Sequence, residues 1–324
     1  MEGGQVGFRV LGTGSALPAR SVTNDDLSEF LDTSDEWIST RTGISSRRVC
    51  TTETLDELAV EASRRALEAA GVTAEQLDLI VCSTTSGDHL IPAEACAIAE
   101  GLGAHCPSFD VSAACAGFVF ALDTADGWFV RGRARRALVV SAEKMSRMVD
   151  WTDRATCVLF GDGAAAAVLE AGGESPLATS LTTEPGVAVL DAPGIAGSSP
   201  FDQTDHPASV LSMEGRRVFK FGVNAIVDSV HELCDQSGVT LDQIDHFVFH
   251  QANERILASG VARLGIDDAK VARVLSETGN ISSACIPLAL DRLARSGELA
   301  AGQLVALVGF GAGLDVGATL LRWG

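Results

Sequence analysis

Cys115 has the sequence context of a nucleophilic thiol. It follows the strand-like segment from Phe109 to Val111, has small neighbours, and opens a helical pattern that continues through Phe118 and Leu122. The N-terminus of a helix stabilises a thiolate through its dipole and free N–H groups, and a sharp turn of small residues exposes the sulfur. Because many free cysteines are simply small buried hydrophobic residues, a packing role stays open as the alternative.

His250 and Asn280 are polar residues at the ends of predicted elements. His250 ends an apolar strand, and Asn280 lies in the turn-like segment Glu277 to Ser282, just before a helix. A hydrogen-bonded core or surface histidine and an ordinary turn or N-cap asparagine are the alternatives. Both residues are nevertheless candidates for a site, because an internal repeat brings their loops and the loop of Cys115 around one crevice.

The chain repeats itself in two halves. GVTAEQLDLIVCSTT in the first half is matched 167 residues later by GVTLDQIDHFVFHQA. Two further pairs follow in the same order, SAACAGFVFALD with SSACIPLALD and FGDGA with FGAGL. This alignment puts Ser83 opposite His250. A polar residue that differs from its repeat partner at a strand end indicates that His250 has a specialised role. It also makes Cys285 the counterpart of Cys115, and Pro287 favours a packing role for Cys285 because proline suits the first turn of a helix.

Strands and helices alternate within each half, which indicates an α/β architecture with mainly parallel central strands. The hydrophobic patterns predict strands over residues 6–11, 79–84, 107–111, 137–141, 164–169, 178–182, 246–250, 303–309 and 317–321. Amphipathic helices are predicted over 55–70 and 218–236, and Thr54 with Glu57 forms a capping box for the first. Residues 171–215 would hold the connection and a long loop. Such folds place ligands at the carboxyl ends of their strands.

The residue counts exclude several classes of function. The 324 residues include no tyrosine, only three lysines, and 24 basic against 43 acidic side chains, which gives a net charge of -19. Strong acidity argues against binding to nucleic acid and to anionic membranes. The sequence shows no phosphate-binding loop, no zinc-ligand spacing, no membrane span and no secretory signal. These absences favour a cytosolic enzyme with reduced cysteines.

The motifs together closely resemble those of β-ketoacyl-ACP synthase III, the initiating condensing enzymes of type II fatty acid synthesis in the thiolase superfamily. The resemblance covers essentially the whole chain and rests, in order, on DTSDEWISTRTGI, DVSAACAGF, DRATCVLFGDGA, HQANERI, GNISSACIP and GFGAG. Thiolases would show a second catalytic cysteine, and elongating synthases a second histidine where Asn280 stands. The resemblance implies a thiolase-like fold of two βαβαβαββ halves, residues 1–172 and 173–324, in a five-layered α-β-α-β-α core.

A ping-pong Claisen condensation is the reaction that this resemblance implies. An acyl-CoA, with acetyl-CoA as the default primer, would acylate Cys115, and malonyl-ACP would then decarboxylate and attack the thioester to give 3-ketoacyl-ACP. His250 and Asn280 would stabilise the enolate as paired hydrogen-bond donors. The backbone N–H groups of Cys115 and Ala312 would form an oxyanion hole. The family usually carries glycine at position 312, and a backbone donor survives the change to alanine if φ stays negative.

The resemblance also assigns residues to substrate binding. Trp37 and Arg41 match the positions that sandwich the adenine of CoA, although they could instead form one solvated helix face. Thr33, Arg154 and Arg216 would complete the CoA site.

Three more cations, Arg217, Lys220 and Arg255, would receive the acidic carrier protein at the pocket mouth. Ile91 stands where several family members carry phenylalanine, and it would reach across a homodimer to close the partner's acyl pocket.

Two other functions remain possible for this fold. An acyltransferase or starter-unit synthase of secondary metabolism would share the architecture, but the intact set of Cys115, His250 and Asn280 favours decarboxylative condensation. An inactive scaffold subunit would not need Cys115. The sequence therefore predicts a cytoplasmic homodimeric enzyme with acyl-CoA and acyl carrier protein as partners, no metal, no cofactor besides its substrates, and no nucleic-acid or membrane binding.

Overall fold

The computed structural model describes residues 7–194, residue 201 and residues 210–324. Residue 6, where the first predicted strand begins, lies outside the described residues. The same holds for residues 195–200 and 202–209 of the predicted connection.

The strands follow the predicted order, and most extend beyond the predicted ends. They are β1 Gly7–Ala16, β2 Ser21–Thr23, β3 Ser46–Arg48, β4 Leu79–Ser83, β5 Ser108–Val111, β6 Arg136–Lys144, β7 Asp162–Gly173, β8 Ala178–Thr183, β9 Leu190–Asp191, β10 Ser212–Met213, β11 His246–Phe249, β12 Leu304–Gly311 and β13 Asp315–Arg322. The predicted connection contains the predicted strand β8. It also contains a short antiparallel pair of β9 and β10 that the sequence did not indicate.

The helices include both predicted ones. They are α1 Asn24–Ser28, α2 Asp35–Thr42, α3 Leu55–Ala70, α4 Glu94–Leu102, α5 Gly117–Val130, α6 Gly215–Ser237, α7 Glu254–Leu264, α8 Leu275–Thr278 and α9 Cys285–Ser296. Helix α3 has the predicted bounds, and its capping box is present because the Thr54 hydroxyl accepts from the Glu57 N–H while the Glu57 carboxylate accepts from the Thr54 N–H. Helix α6 begins three residues earlier than predicted.

Each half of the chain builds one sheet. The first has the strand order β1-β7-β6-β4-β5, and the second has the order β11-β12-β13-β8. The first half therefore follows the βαβαβαββ pattern. In the second half, the third strand of that pattern is reduced to a single parallel bridge between Phe247 and Val271. A division of the chain into two halves at residue 172, near the end of β7, remains a proposal.

The prediction of mainly parallel strands is wrong, because both sheets are mixed. Parallel pairing joins β4 to β5, β4 to β6 and β11 to β12, whereas β7 runs antiparallel to β1 and β6, and β13 runs antiparallel to β12 and β8. The cause is local: the last two strands of each half follow one another without a crossover helix, so the chain folds straight back.

Three hydrophobic clusters divide the molecule into five layers. Helices α3 and α4 cover the outer face of the first sheet, α5 and α9 pack between the two sheets, and α6 and α7 cover the outer face of the second sheet. Alternate residues of β4 show the division, because Val81 faces the middle cluster and Ile80 the outer one. This arrangement confirms the predicted thiolase-like α-β-α-β-α architecture, and it brings the N-termini of α5 and α9 together between the sheets.

Candidate active site

Cys115 lies in the turn that leads into α5, as predicted. The turn is a short 3-10 segment, Ala114–Ala116, and Ala114 has a φ of 43°, a left-handed conformation that is strained for a residue other than glycine. The side chain is 8% exposed. Strand β12 ends directly against it, because a Cβ atom added at Gly311 would lie 2.7 Å from the Cys115 nitrogen. Glycine at position 311 therefore allows this close approach.

Cys285 is not the structural counterpart of Cys115, so the pairing read from the repeat is corrected. The turn before α9, Ser282–Ala284, begins at Ser282 with a φ of 46°, in the same way that the first turn begins at Ala114. Matching the two turns places Ser283 opposite Cys115, and Cys285 opposite the first residue of α5. The packing role of Cys285 agrees with its buried sulfur, which accepts the Ile281 N–H at 3.2 Å.

Burial controls the protonation of the Cys115 thiol. Desolvation raises its pKa to about 12, the charge of Glu143 contributes in the same direction, and a hydrogen bond with the Ser282 hydroxyl opposes them. The helix N-terminus was expected to favour the thiolate, yet in this closed position desolvation outweighs it. The Cys115 sulfur donates to the Ser282 hydroxyl at 3.4 Å. Deprotonation therefore needs a proton acceptor near this sulfur.

His250 is buried immediately after β11. Its backbone N–H donates to the Val308 carbonyl of β12 at 2.8 Å. Its ring meets the Phe310 ring edge-on at a centroid distance of 5.2 Å. Burial lowers the pKa of the imidazole to about 3, and a hydrogen bond that the ring donates to the Ser282 backbone opposes this effect. The imidazole is therefore neutral at physiological pH, and one ring nitrogen can act as a donor.

Asn280 is fixed through its backbone and its side chain. Its N–H donates to the Leu159 carbonyl at 2.8 Å, and its own carbonyl accepts the Gly161 N–H at 3.0 Å. The side-chain oxygen accepts the Ser282 N–H at 2.8 Å. These contacts leave the amide NH₂ group of Asn280 as a donor toward the cavity.

One cavity of about 680 Å³ joins the three predicted catalytic residues. Cys115, His250 and Asn280 all line it, together with Ala312. The remaining lining is largely apolar, with contributions from Met145, Met148, Val158, Leu159, Phe160, Leu190, Leu211, Met213 and Phe219. The φ of Ala312 is not positive, so the condition set for its backbone donor is met. The cavity can therefore hold an acyl chain next to a thiol and two neutral hydrogen-bond donors.

The predicted CoA residues lie at one end of this cavity. Trp37 and Arg41 of α2 line it, and the Arg41 guanidinium lies 4.7 Å from the centre of the Trp37 ring. Arg154 also packs on this ring at 5.0 Å and bonds to Asp32. Thr33 precedes α2, and its hydroxyl is buried without a hydrogen-bond partner among the described residues. The structure thus gathers cationic and aromatic groups at this end.

The remaining predicted cations lie on two helices that also line the cavity. Arg216, Arg217 and Lys220 are exposed on the first turns of α6, and Arg255 is exposed on the first turn of α7. Both helices also line the cavity, through Gly215, Val218, Phe219 and Ile256. Of the four cations, Arg217 forms an ion pair with Glu214 at 3.0 Å, so it is already partly neutralised.

Ile91 does not line the cavity of its own chain. It lies on the loop between β4 and α4 and is 86% exposed, next to Leu90, which is 75% exposed. An exposed apolar pair on one loop is typical of a surface that contacts another chain.

Sequence reasoning missed two polar residues beside Cys115. Ser282 was part of a motif but received no role, and Glu143 lies inside β6, where it is fully buried. A glutamate directly after the apolar run of β6 was the available signal, because buried carboxylates need dedicated hydrogen-bond donors.

Comparison with known proteins decides the family. One family model, 3-oxoacyl-[acyl-carrier-protein (ACP)] synthase III, matches residues 109–185. A second model, for the C-terminal part of the same family, matches residues 234–323. The β-ketoacyl-[acyl-carrier-protein] synthase III of Clostridium acetobutylicum is 42% identical over 318 residues, covering 97% of this chain and 98% of the relative. The chain belongs to the β-ketoacyl-ACP synthase III family.

Solved synthase III structures have the same fold. The Aquifex aeolicus enzyme has a TM-score of 0.91 and 39% identity, covering 98% of this chain and 100% of the other. A priming β-ketosynthase from the R1128 polyketide pathway has a TM-score of 0.91 and 40% identity, covering 98% of this chain and 97% of the other. The predicted synthase III function, acyltransferase class and condensing-enzyme fold are confirmed.

The described residues contain neither a metal site nor a membrane-spanning helix. In residues 7–194, 201 and 210–324, no group of three or more metal-ligating side chains could hold a metal ion. Over the same ranges, no helix is long and apolar enough to cross a membrane.

Proposed function

We propose that this synthase III condenses an acyl-CoA primer with malonyl-ACP, using Cys115 as nucleophile and His250 with Asn280 as donors to the enolate. The observation that carries the assignment is the single cavity that all three side chains line. A pure acyltransferase would have no enolate to stabilise, so paired neutral donors opposite a thiol favour decarboxylative condensation.

The first half-reaction transfers the acyl group to the enzyme. The Cys115 sulfur attacks the thioester carbonyl of the acyl-CoA, and CoA leaves as the carbon–sulfur bond to it breaks. The oxygen of the tetrahedral intermediate lies toward the backbone N–H groups of Cys115 and Ala312. These donors are fixed before the reaction, because the close approach of Gly311 holds the two backbone segments together.

The second half-reaction consumes malonyl-ACP. Loss of CO₂ places negative charge on the thioester oxygen, and the neutral imidazole of His250 and the amide of Asn280 donate hydrogen bonds to it. The enolate carbon then attacks the acyl-Cys115 thioester and releases 3-ketoacyl-ACP and the free thiol. An imidazole with a lowered pKa suits this role, since it donates without first titrating.

Substrate binding follows the charges around the cavity. The adenine of CoA would stack on Trp37, with Arg41 and Arg154 beside it and Thr33 and Arg216 completing the CoA contacts. The acidic carrier protein would dock on Arg217, Lys220 and Arg255 at the mouth. Because the chain carries a net charge of -19, these exposed cations are a local exception to its field.

The exposed loop between β4 and α4 supports a homodimer. Ile91 would reach across to the partner and close its acyl pocket, as the resemblance implies, and the exposed Leu90 lies beside it in the chain. Strand β5 is an edge strand of the first sheet, and an edge strand can pair with a strand of another chain. An isoleucine in place of phenylalanine would leave room for longer or branched primers, but one side chain does not set the volume of the pocket, and acetyl-CoA remains the default primer. We further propose that the reaction needs no cofactor besides these substrates, and a cytoplasmic location remains a prediction of the sequence.

The test is a product assay with malonyl-ACP and a panel of acyl-CoA primers, read by mass spectrometry. Wild type should form 3-ketoacyl-ACP, while His250→Ala should remain acylated but form little product. Product formation that is unimpaired in His250→Ala would overturn the enolate role. A wild type that transfers acyl groups without elongation would instead support the starter-unit alternative.

A further inference from the structure

The acylation step leaves one proton without an assigned acceptor. The thiol proton of Cys115 must depart as the sulfur bonds to the acyl carbon. His250 is a weak acceptor, because burial lowers the pKa of its imidazole to about 3. Among the described residues, the hydrogen-bond partner of the Cys115 sulfur is the Ser282 hydroxyl, at 3.4 Å.

Ser282 bonds to Cys115 and lies near a buried carboxylate. Its hydroxyl is close enough to the Glu143 carboxylate to lower the pKa of that group, while the direct hydrogen bond from this turn to Glu143 comes from Ser283. The Ser283 hydroxyl donates to Glu143 Oε1 at 2.8 Å. On the other carboxylate oxygen, Oε2 accepts the Thr85 N–H and hydroxyl, each at 3.1 Å, and the Ser86 hydroxyl at 2.6 Å. Both halves of the chain therefore hold one carboxylate behind the nucleophile.

Glu143 has the surroundings of a proton acceptor rather than of an ion-pair partner. It is 0% exposed, and its hydrogen-bond partners are neutral hydroxyls and one N–H. The described residues contain no arginine, lysine or histidine in an ion pair with it. Its charge contributes to the raised pKa values of the Cys82, Cys115 and Cys285 thiols. Burial raises the pKa of Glu143, so this carboxylate gains a proton more readily than an exposed one.

We propose that Glu143 stores the proton of Cys115 through the Ser282 hydroxyl, a proton relay that rests on the role of Cys115 as the acylated nucleophile. During acylation the Cys115 S–H bond breaks, its proton passes to the Ser282 oxygen, and the Ser282 hydroxyl proton passes to Glu143. The sulfur–acyl bond forms, and CoA leaves as a thiolate that solvent protonates. When condensation releases the Cys115 thiolate, the proton returns along the same path and Glu143 is again ionised.

This cycle balances without a further reactant. The negative charge of the malonyl carboxylate passes to the enolate as CO₂ leaves and then to the Cys115 thiolate as the enolate attacks. It returns to Glu143 when the stored proton moves back to the sulfur. Glu143 acts through Ser282 and does not touch the substrate. It is therefore a positioning residue for the proton, distinct from His250 and Asn280, which meet the enolate.

The test compares rates of Cys115 acylation, measured as the burst of CoA release from acetyl-CoA between pH 5.5 and 9. Glu143→Gln keeps the shape of the side chain but takes no proton, and Ser282→Ala breaks the path. We expect each to slow acylation at pH 7 by about 10²-fold or more, with a deficit that shrinks as pH rises. Glu143→Asp restores most of the rate because it keeps a carboxylate. Ser283→Ala is the matched control, since it removes a hydroxyl from the same carboxylate without touching Cys115, and it should lose far less.

A second measurement separates this relay from a structural role. Decarboxylation of malonyl-ACP is followed in Cys115→Ala and in the double variant Cys115→Ala/Glu143→Gln, and we expect equal rates because no thiol proton is involved. Equal loss of acylation and decarboxylation would overturn the relay, as would Glu143→Gln acylation within twofold of wild type at every pH. If the wild type itself forms no acyl-enzyme, the proposed function fails and not the relay alone. Should Glu143→Gln not fold, Ser282→Ala carries the same comparison.

Discussion

The side-chain oxygen of Asn280 accepts a hydrogen bond from the backbone N–H of Ser282 at 2.8 Å. Ser282 has a left-handed φ of 46°, a conformation that is strained for a residue other than glycine. The contact fixes which end of the amide faces the cavity, because the oxygen is occupied and the NH₂ group is left as a donor. The same turn carries the Ser282 hydroxyl that meets the Cys115 sulfur.

The first prediction concerns the orientation of this amide. Asn280→Asp replaces the NH₂ donor by a carboxylate oxygen, which repels the developing enolate, so malonyl-ACP decarboxylation should fall by about 10²-fold or more. Carbon dioxide release from labelled malonyl-ACP measures the effect. Acylation of Cys115 by acetyl-CoA serves as the control and should change little. Decarboxylation near the wild-type rate in this variant would remove Asn280 from the enolate site.

The second prediction concerns the stability of the fold at acid pH. The pKa of His250 is about 3 in the folded chain and about 6.5 when the chain is unfolded, so between these values the unfolded chain binds a proton that the native chain does not. The contribution of neutral His250 is therefore complete above pH 6.5 and declines as pH falls toward 3. Between pH 7.5 and 5, the free energy of unfolding should drop by about 2 kcal/mol more in wild type than in His250→Gln. Urea denaturation at the two pH values measures this, and equal drops in both proteins would refute a lowered pKa.

The third prediction concerns the close approach at Gly311. A Cβ atom there would lie 2.7 Å from the Cys115 nitrogen and 3.0 Å from the Cys115 Cβ atom, so Gly311→Ala must displace the nucleophile turn. We expect a loss of about 1–3 kcal/mol in the free energy of unfolding and slower acylation. Gly127→Ala on α5 is the matched control, because nothing lies within 4 Å of an added Cβ atom there. A Gly311→Ala protein as stable and active as the control would show that the turn is not tightly held.

The fourth prediction concerns the cations at the mouth. Replacing Lys220 and Arg255 by glutamine should raise the KM for malonyl-ACP far more than the KM for acyl-CoA, and the effect should weaken with added salt. Both side chains are exposed, so the fold should be unaffected. Steady-state kinetics with each substrate varied in turn gives the two constants. An equal rise in both would contradict a docking role.

The sequence predicted the positions of the elements better than their pairing. The end of β11 places His250, and the start of α5 places Cys115, because periodicity and small residues encode such local features. Whether β7 runs against β6 depends on contacts between strands, which no local pattern reports. Cys285 was paired with Cys115 by letter identity, whereas the φ angles of Ala114 and Ser282 align Cys285 with the start of α5. Glu143 was missed because its hydrogen-bond donors come from distant segments of both halves.

The most direct test of the proposed chemistry is to locate the acyl group on the enzyme. Wild type is mixed with acetyl-CoA, quenched in acid, digested and examined by peptide mass spectrometry, with Cys115→Ser and Cys285→Ser treated in parallel. We predict that wild type and Cys285→Ser carry the acetyl group on Cys115, and that Cys115→Ser carries no stable acetyl thioester. An acetyl group on another residue, or no acyl-enzyme in wild type, would contradict the assignment of Cys115 as the nucleophile.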